Sequence, residues 1–94
     1  MIVDFVKVPD GSGYGVGNLN KQSRFSRYDI YVVPEYYNGK PVHTILGFDG
    51  VRTLVIPPSI KFIFTINLSN IENIEVASTN PYFSSRDGAL YNKD

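Results

Sequence analysis

The chain carries one histidine, His43, within Pro41-Val42-His43-Thr44-Ile45. Imidazole is the side chain best suited to move protons near neutral pH. General-base or metal chemistry nevertheless needs partner groups around the ring. There is no Cys anywhere, and the nearest following acid is Asp49. Val42 and Ile45 belong to an inward-pointing rhythm, so His43 is expected to face outward as a surface residue. Four glycines alternate at Gly11, Gly13, Gly15 and Gly17. A phosphate loop would need Gly-Lys-Ser/Thr opening a helix, and a dinucleotide fingerprint would need G-x-G-x-x-G before a helix. Neither follows here, and the run reads as an extended segment whose bare face lies close to another backbone. Asp49-Gly50 and Asp87-Gly88 lack the spaced oxygen ligands of a calcium loop and read as turns. No catalytic residue, metal ligand or cofactor is assigned, and the chain is read as non-enzymatic.

Binding chemistry is better represented. Lys21, Arg24 and Arg27 interleave with Phe25 and Tyr28. Cations beside stacking rings suit an acidic protein face or a single nucleic-acid strand. Lys plus Arg balances Asp plus Glu at nine each. This balance argues against a general attraction to polyanions and leaves an acidic protein surface as the expected partner. Tyr36 and Tyr37 join the candidate binding residues, from a second group that includes Tyr31, Tyr82 and Phe83. Tyrosines bury much area at low entropic cost at interfaces, and strands also use them in cores.

The elements that must hold these residues are β-strands. Aromatics make up 14% of the 94 residues, and Ile and Val are plentiful. Such side chains fit a pleated, half-buried surface. Residues 2–8 read as a strand, Asp29 to Val33 as a strand stopped by Pro34, and Asn38-Gly39 as a tight turn. From Val42 to Val76, apolar residues recur mostly every three positions: Val42, Ile45, Phe48, Val51, Leu54, then Ile60, Ile63, Ile66 and Ile71, Ile74. Neither a helix face nor a simple strand alternation sustains that spacing. It suits a chain that turns a corner every few residues. The segment also repeats itself. Val33-Pro34 matches Ile56-Pro57 after 23 positions, Val42-x-x-Ile45 matches Ile60-x-x-Ile63 after 18, and Val51-x-x-Leu54-x-Ile56 matches Ile71-x-x-Ile74-x-Val76 after 20. Periods of about 20–29 residues with Leu or Ile at fixed offsets mark leucine-rich coils.

Three phrases resemble the BspA-like leucine-rich repeat family. Ile56-Pro57-Pro58-Ser59-Ile60-x-x-Ile63 is similar to its "I-P-x-S-V-x-x-I" unit. Tyr37-Asn38-Gly39-Lys40-Pro41-Val42-x-x-Ile45 is similar to its entry phrase. Asn80-Pro81-Tyr82-Phe83-Ser84-Ser85-x-Asp87-Gly88-x-Leu90-Tyr91-Asn92-Lys93 is similar to its hairpin phrase. The resemblance spans residues 28–94. The family's "A-F-x-x-C-x-x-L" stretch has no counterpart between Ile45 and Val51 or between Ile63 and Ile71, so turns are expected where the family has helix. The resemblance implies binding of proteins or surfaces, as in bacterial and protist cell-surface proteins.

The expected fold is therefore mainly β, a short leucine-rich-repeat-like β-solenoid in a single domain. Residues 1–27 form an amino-terminal strand cap and loop, 28–80 the repeat-like units, and 81–94 a carboxy-terminal hairpin. Tyr31–Val33, Leu54–Ile56 and Ile74–Val76 should lie side by side in one sheet. Ile45, Phe48, Leu54, Ile56, Ile60, Ile63, Ile66, Ile71, Ile74 and Val76 should form the core. A stack this short exposes sheet edges, which are expected to serve self-association or a partner's strand. The expected function is a protein-binding module, with a stand-alone inhibitor of another protein's site as the alternative. No apolar run approaches the roughly 20 residues of a membrane helix. Asp4 stands where a signal peptide would carry positive charge. A native Met1 would place the chain in the cytoplasm, and membership in a larger family protein would place it at the cell surface or outside.

Overall fold

The computed structural model describes residues 3–18, 28–64, 68 and 71–93. Among the described residues there are ten strands: β1 (Asp4–Lys7), β2 (Tyr14–Gly17), β3 (Tyr28–Val32), β4 (Tyr36–Tyr37), β5 (Lys40–Gly47), β6 (Val51–Ile56), β7 (Phe62–Ile63), β8 (Asn73–Val76), β9 (Phe83–Arg86) and β10 (Ala89–Asn92). The protein is mainly β, as its β-branched and aromatic content predicts. Among the described residues no helix is long and apolar enough to cross a membrane.

From β1 to β8 the chain alternates between two sheets, and β9 and β10 form a third, two-stranded one. One runs β1-β2-β5, with β7 on the far side of β5 and β4 folded back along it; the other runs β3-β6-β8. All three strands of the second sheet are parallel. Tyr31 pairs with Leu54, 23 positions on, and Leu54 pairs with Ile74 a further 20 on. In the first sheet Ile45 pairs in parallel with Ile63, 18 positions on. These offsets are those of the sequence repeat, so residues that match in sequence are cross-strand neighbours. The expected side-by-side arrangement of Tyr31–Val33, Leu54–Ile56 and Ile74–Val76 is borne out. Val33 extends it by donating its amide to Val55 O at 3.0 Å before Pro34, which has no amide to continue.

Three turns follow local chemistry. Asn38-Gly39 and Asp87-Gly88 adopt positive φ at both central positions, 52° and 77°, then 53° and 81°. This is the twist that two-residue hairpins need, and it joins β4 to β5 and β9 to β10 in antiparallel pairs. Pro9-Asp10-Gly11 turns β1 into β2. The Gly11 amide donates to Val8 O at 2.9 Å, and Gly11 takes φ 77°.

β2 lies parallel to β5 with two register shifts. Its glycines permit that approach, since a Cβ on Gly17 would sit 2.6 Å from the Gly47 carbonyl oxygen. The expectation of a bare face against another backbone is met.

The core holds Val16, Val33, Val42, Ile45, Phe48, Val51, Leu54, Ile56, Ile60, Leu68, Ile74 and Phe83, all buried. Ile63, Ile71 and Val76, expected in the core, are half-buried and pack against this group. Ile63 and Val76 sit on β7 and β8, where among the described residues no further strand of the same sheet lies beyond them. Ile66 lies outside the described residues. The outer side of β8 is met by the terminal hairpin: the Ile74 amide donates to Gly88 O at 2.9 Å, and the Val76 amide to Ser85 Oγ at 2.8 Å.

Buried amides tie successive turns together. Asn80 is fully buried, with Nδ2 donating to Pro57 O at 2.9 Å and Ile60 O at 3.1 Å. Its Oδ1 accepts from the Tyr82 and Phe83 amides at 2.7 and 2.9 Å. Asn18 similarly accepts the Asp49 amide at 2.9 Å and donates to the Asp49 carbonyl.

Candidate functional site

Two features stand out. The first is the outward face of the β3-β6-β8 sheet. Strand side chains alternate between faces. On β3, Tyr31 turns inward, its ring 5.2 Å from that of Phe48. Burial of its ring raises the Tyr31 hydroxyl pKa above the usual tyrosine value. Ile30 and Val32 therefore point outward, 61% and 62% exposed. Their cross-strand neighbours are Thr53 and Asn73 in one row, Val55 and Glu75 in the next. Among the described residues no strand pairs with the outer edge of β3. Arg52 closes the polar side, donating to Glu72 at 3.0 Å and lying 3.9 Å from Asp29. The Glu72 hydrogen bond and the two carboxylate charges raise its pKa further.

The second is a cavity of about 640 Å³ between the β1–β2 turn, β5 and β7. Val8, Pro41, Phe62 and Phe64 give it apolar walls; Asp10, Ser12, His43, Thr44, Ser59 and Lys61 supply polar groups. That size and lining suit a small-molecule site. His43 corrects the sequence expectation of an outward-facing residue, because it is buried at 7% exposure. The three-residue rhythm misassigns it because Val42, His43, Thr44 and Ile45 are all buried in succession along β5, with strand neighbours on both sides. Its Nε2 lies 2.9 Å from Ser12 Oγ, and its Nδ1 lies 2.8 Å from Thr44 Oγ1. The Phe62 ring meets it edge-on at 6.2 Å. Asp10 Oδ1 accepts the Ser12 amide at 2.8 Å. Hydrogen bonds from the Ser12 side chain and amide hold the Asp10 carboxyl below its usual range.

Of the residues nominated from sequence, Lys21, Arg24, Phe25 and Arg27 lie outside the described residues. So does the side chain of Tyr28, whose backbone begins β3. Tyr36 is 65% exposed and remains accessible. Tyr37 is engaged within the fold: Phe5 stacks on it with ring centres 4.0 Å apart, and Tyr14 meets it edge-on at 5.0 Å. Of the second aromatic group, Phe83 is core, Tyr31 faces inward, and Tyr82 is exposed.

Sequence reasoning missed Asp10, Ser12 and Thr44. The Pro-Asp-Gly turn could have placed Ser12 at a hairpin tip. Nothing local could have placed that tip beside His43, 31 positions away. Comparison of the chain with protein-family models, curated proteins and solved structures gives no match in any of the three.

Proposed function

We propose that this chain is a protein-binding module, a short leucine-rich-repeat-like β-solenoid of the BspA-like kind, and that it binds through the outward face and free edge of β3-β6-β8. The observation that carries the reading is the pair Ile30 and Val32, two aliphatic side chains more than 60% exposed side by side on the edge strand. Apolar residues left out on a strand edge among the described residues are a place where a partner buries area and pairs backbone. The parallel pairing of sequence-matched residues at offsets of 23, 18 and 20 supports the solenoid reading. The basic and aromatic stretch Lys21, Arg24, Phe25, Arg27 and Tyr28 leads directly into β3 in sequence. The partner is therefore a protein with an apolar patch bordered by acidic groups.

The test compares the wild type with Ile30→Lys/Val32→Lys and with Arg24→Glu/Arg27→Glu as immobilised baits against extract of the producing cells. All three should melt alike. Partners retained by the wild type should be lost by the first variant and weakened by the second. An unchanged set of partners on Ile30→Lys/Val32→Lys would rule this face out.

A further inference from the structure

We propose that Ser12 is a nucleophile that accepts acyl groups from carboxylic esters with small apolar acyl chains, with His43 as its general base and the adjoining cavity as the acyl site. This site lies on the other sheet from the proposed binding face, so its failure leaves that reading untouched.

The geometry has the parts that nucleophilic catalysis needs: a hydroxyl within hydrogen-bond reach of a base, and a third group orienting the base. Ser12 is exposed at the hairpin tip, and its Oγ is 2.9 Å from Nε2 of buried His43. Thr44 Oγ1 sits 2.8 Å from Nδ1. When that oxygen accepts the Nδ1 proton, the Nε2 lone pair faces Ser12 Oγ, and the hydroxyl, which also lies within reach of the Asp10 carboxylate, must turn its one proton to the ring for His43 to act as general base. Thr44 is thus a positioning residue.

The nucleophile is also held in place. The Val8 amide donates to Gly13 O at 2.9 Å, the Ser12 amide to Asp10 at 2.8 Å, and Lys40 Nζ to Gly11 O at 2.8 Å. Gly13 leaves room for the β5 backbone and for the ring, since a Cβ there would lie 2.2 Å from Pro41 O and 2.9 Å from His43 Cδ2. Phe62, Phe64, Pro41 and Val8 offer an apolar chain a surface beside the reacting hydroxyl.

The reaction balances without a cofactor. Ser12 Oγ attacks the ester carbonyl carbon as its proton passes to Nε2. The bond from that carbon to the leaving oxygen then breaks, and the leaving oxygen takes the proton from Nε2. The products are an acyl-Ser12 ester and an alcohol. Water next gives a proton to Nε2 and attacks the acyl carbon. Ser12 Oγ leaves and recovers the proton, releasing a carboxylic acid.

The test is incubation of the full chain with p-nitrophenyl butyrate, following nitrophenolate release and locating the butyryl group by peptide mass spectrometry. The expected result is butyryl on Ser12. Ser12→Ala, a surface change whose circular dichroism should match wild type, should abolish it. His43→Gln should slow acylation by about 10²-fold or more, the usual reach of a general base. Thr44→Val should slow it while Thr44→Ser keeps it. An alkyl fluorophosphonate should label wild type and not Ser12→Ala. Butyryl found on lysine or tyrosine instead of Ser12, or a Ser12→Ala protein that reacts at the wild-type rate, would overturn the proposal.

Discussion

Replacing Asn80 with alanine should be among the most damaging single changes available in this chain. The side chain is fully buried and makes four hydrogen bonds, two from Nδ2 to the Pro57 and Ile60 carbonyls and two at Oδ1 from the Tyr82 and Phe83 amides. An ordinary intramolecular hydrogen bond contributes about 0.5–1.5 kcal/mol net, and a buried group left without its partner costs more. The Tyr82 amide bond to Oδ1 is only part-buried, so water can recover part of the loss. The expected cost is about 3–4 kcal/mol, against a total stability of roughly 5–14 kcal/mol for a chain this long. Urea unfolding followed by circular dichroism measures it, with an unchanged slope confirming that the loss is in stability. Asn80→Asp separates the two halves of the arrangement. It keeps an acceptor for the Tyr82 and Phe83 amides but sets a carboxylate against two carbonyls. It should be at least as unstable as the alanine variant at neutral pH and recover partly in acid, where the carboxyl becomes a donor. A loss below about 1 kcal/mol in Asn80→Ala would refute the claim that this side chain joins the turn after β6 to the terminal hairpin.

Other perturbations have definite expected outcomes. Leu54→Ala empties the centre of the β3-β6-β8 sheet and should cost about 2–5 kcal/mol by the same unfolding assay. Gly17→Ala drives a Cβ to 2.6 Å from the Gly47 carbonyl oxygen and should cost about 1–3 kcal/mol, as overpacking does; a neutral result would contradict the close approach of β2 to β5. Arg52→Ala removes only exposed ion pairs with Glu72 and Asp29, so the change should stay under about 1 kcal/mol and shrink with salt. Tyr31 has its folded pKa raised by burial. Its contribution is thus complete below the unfolded tyrosine value near 10 and lost as pH rises through the higher folded value. Alkaline unfolding should therefore be milder in Tyr31→Phe than in the wild type.

The β content and the repeat were legible because both are local or periodic properties. A strand that recurs at a fixed offset writes its neighbours into the sequence: Tyr31, Leu54 and Ile74 occupy matching places in successive units and are cross-strand partners. The turns at Asn38-Gly39 and Asp87-Gly88 were legible for a related reason, since positive φ at two successive residues is a demand that few residue pairs satisfy. Burial was read less well. The three-residue rhythm assigns one inward side chain per corner, whereas β5 has neighbouring strands on both sides and buries four consecutive residues, Val42 to Ile45.

His43 shows why the candidate site was harder to see than the fold. A repeat relates each unit to the next, but β1 and β2 stand outside the repeat, and the approach of β2 to β5 depends on glycines that carry no side chain to read. The Ser12–His43 contact exists because Gly13 lets the ring pass beneath the hairpin tip and because Lys40 on β5 holds Gly11 on that tip. Each of those residues taken alone reads as a turn or a surface charge. Asn80 follows the same logic. It stands 20 positions after Ile60, the offset that relates β8 to β6, and supplies hydrogen bonds where the earlier unit supplies an aliphatic side chain. Buried backbone groups need partners, and at this position a side-chain amide supplies them to the Pro57 and Ile60 carbonyls and to the Tyr82 and Phe83 amides. The exchange of a buried isoleucine for a buried amide is recognisable only once the repeat has been aligned to itself.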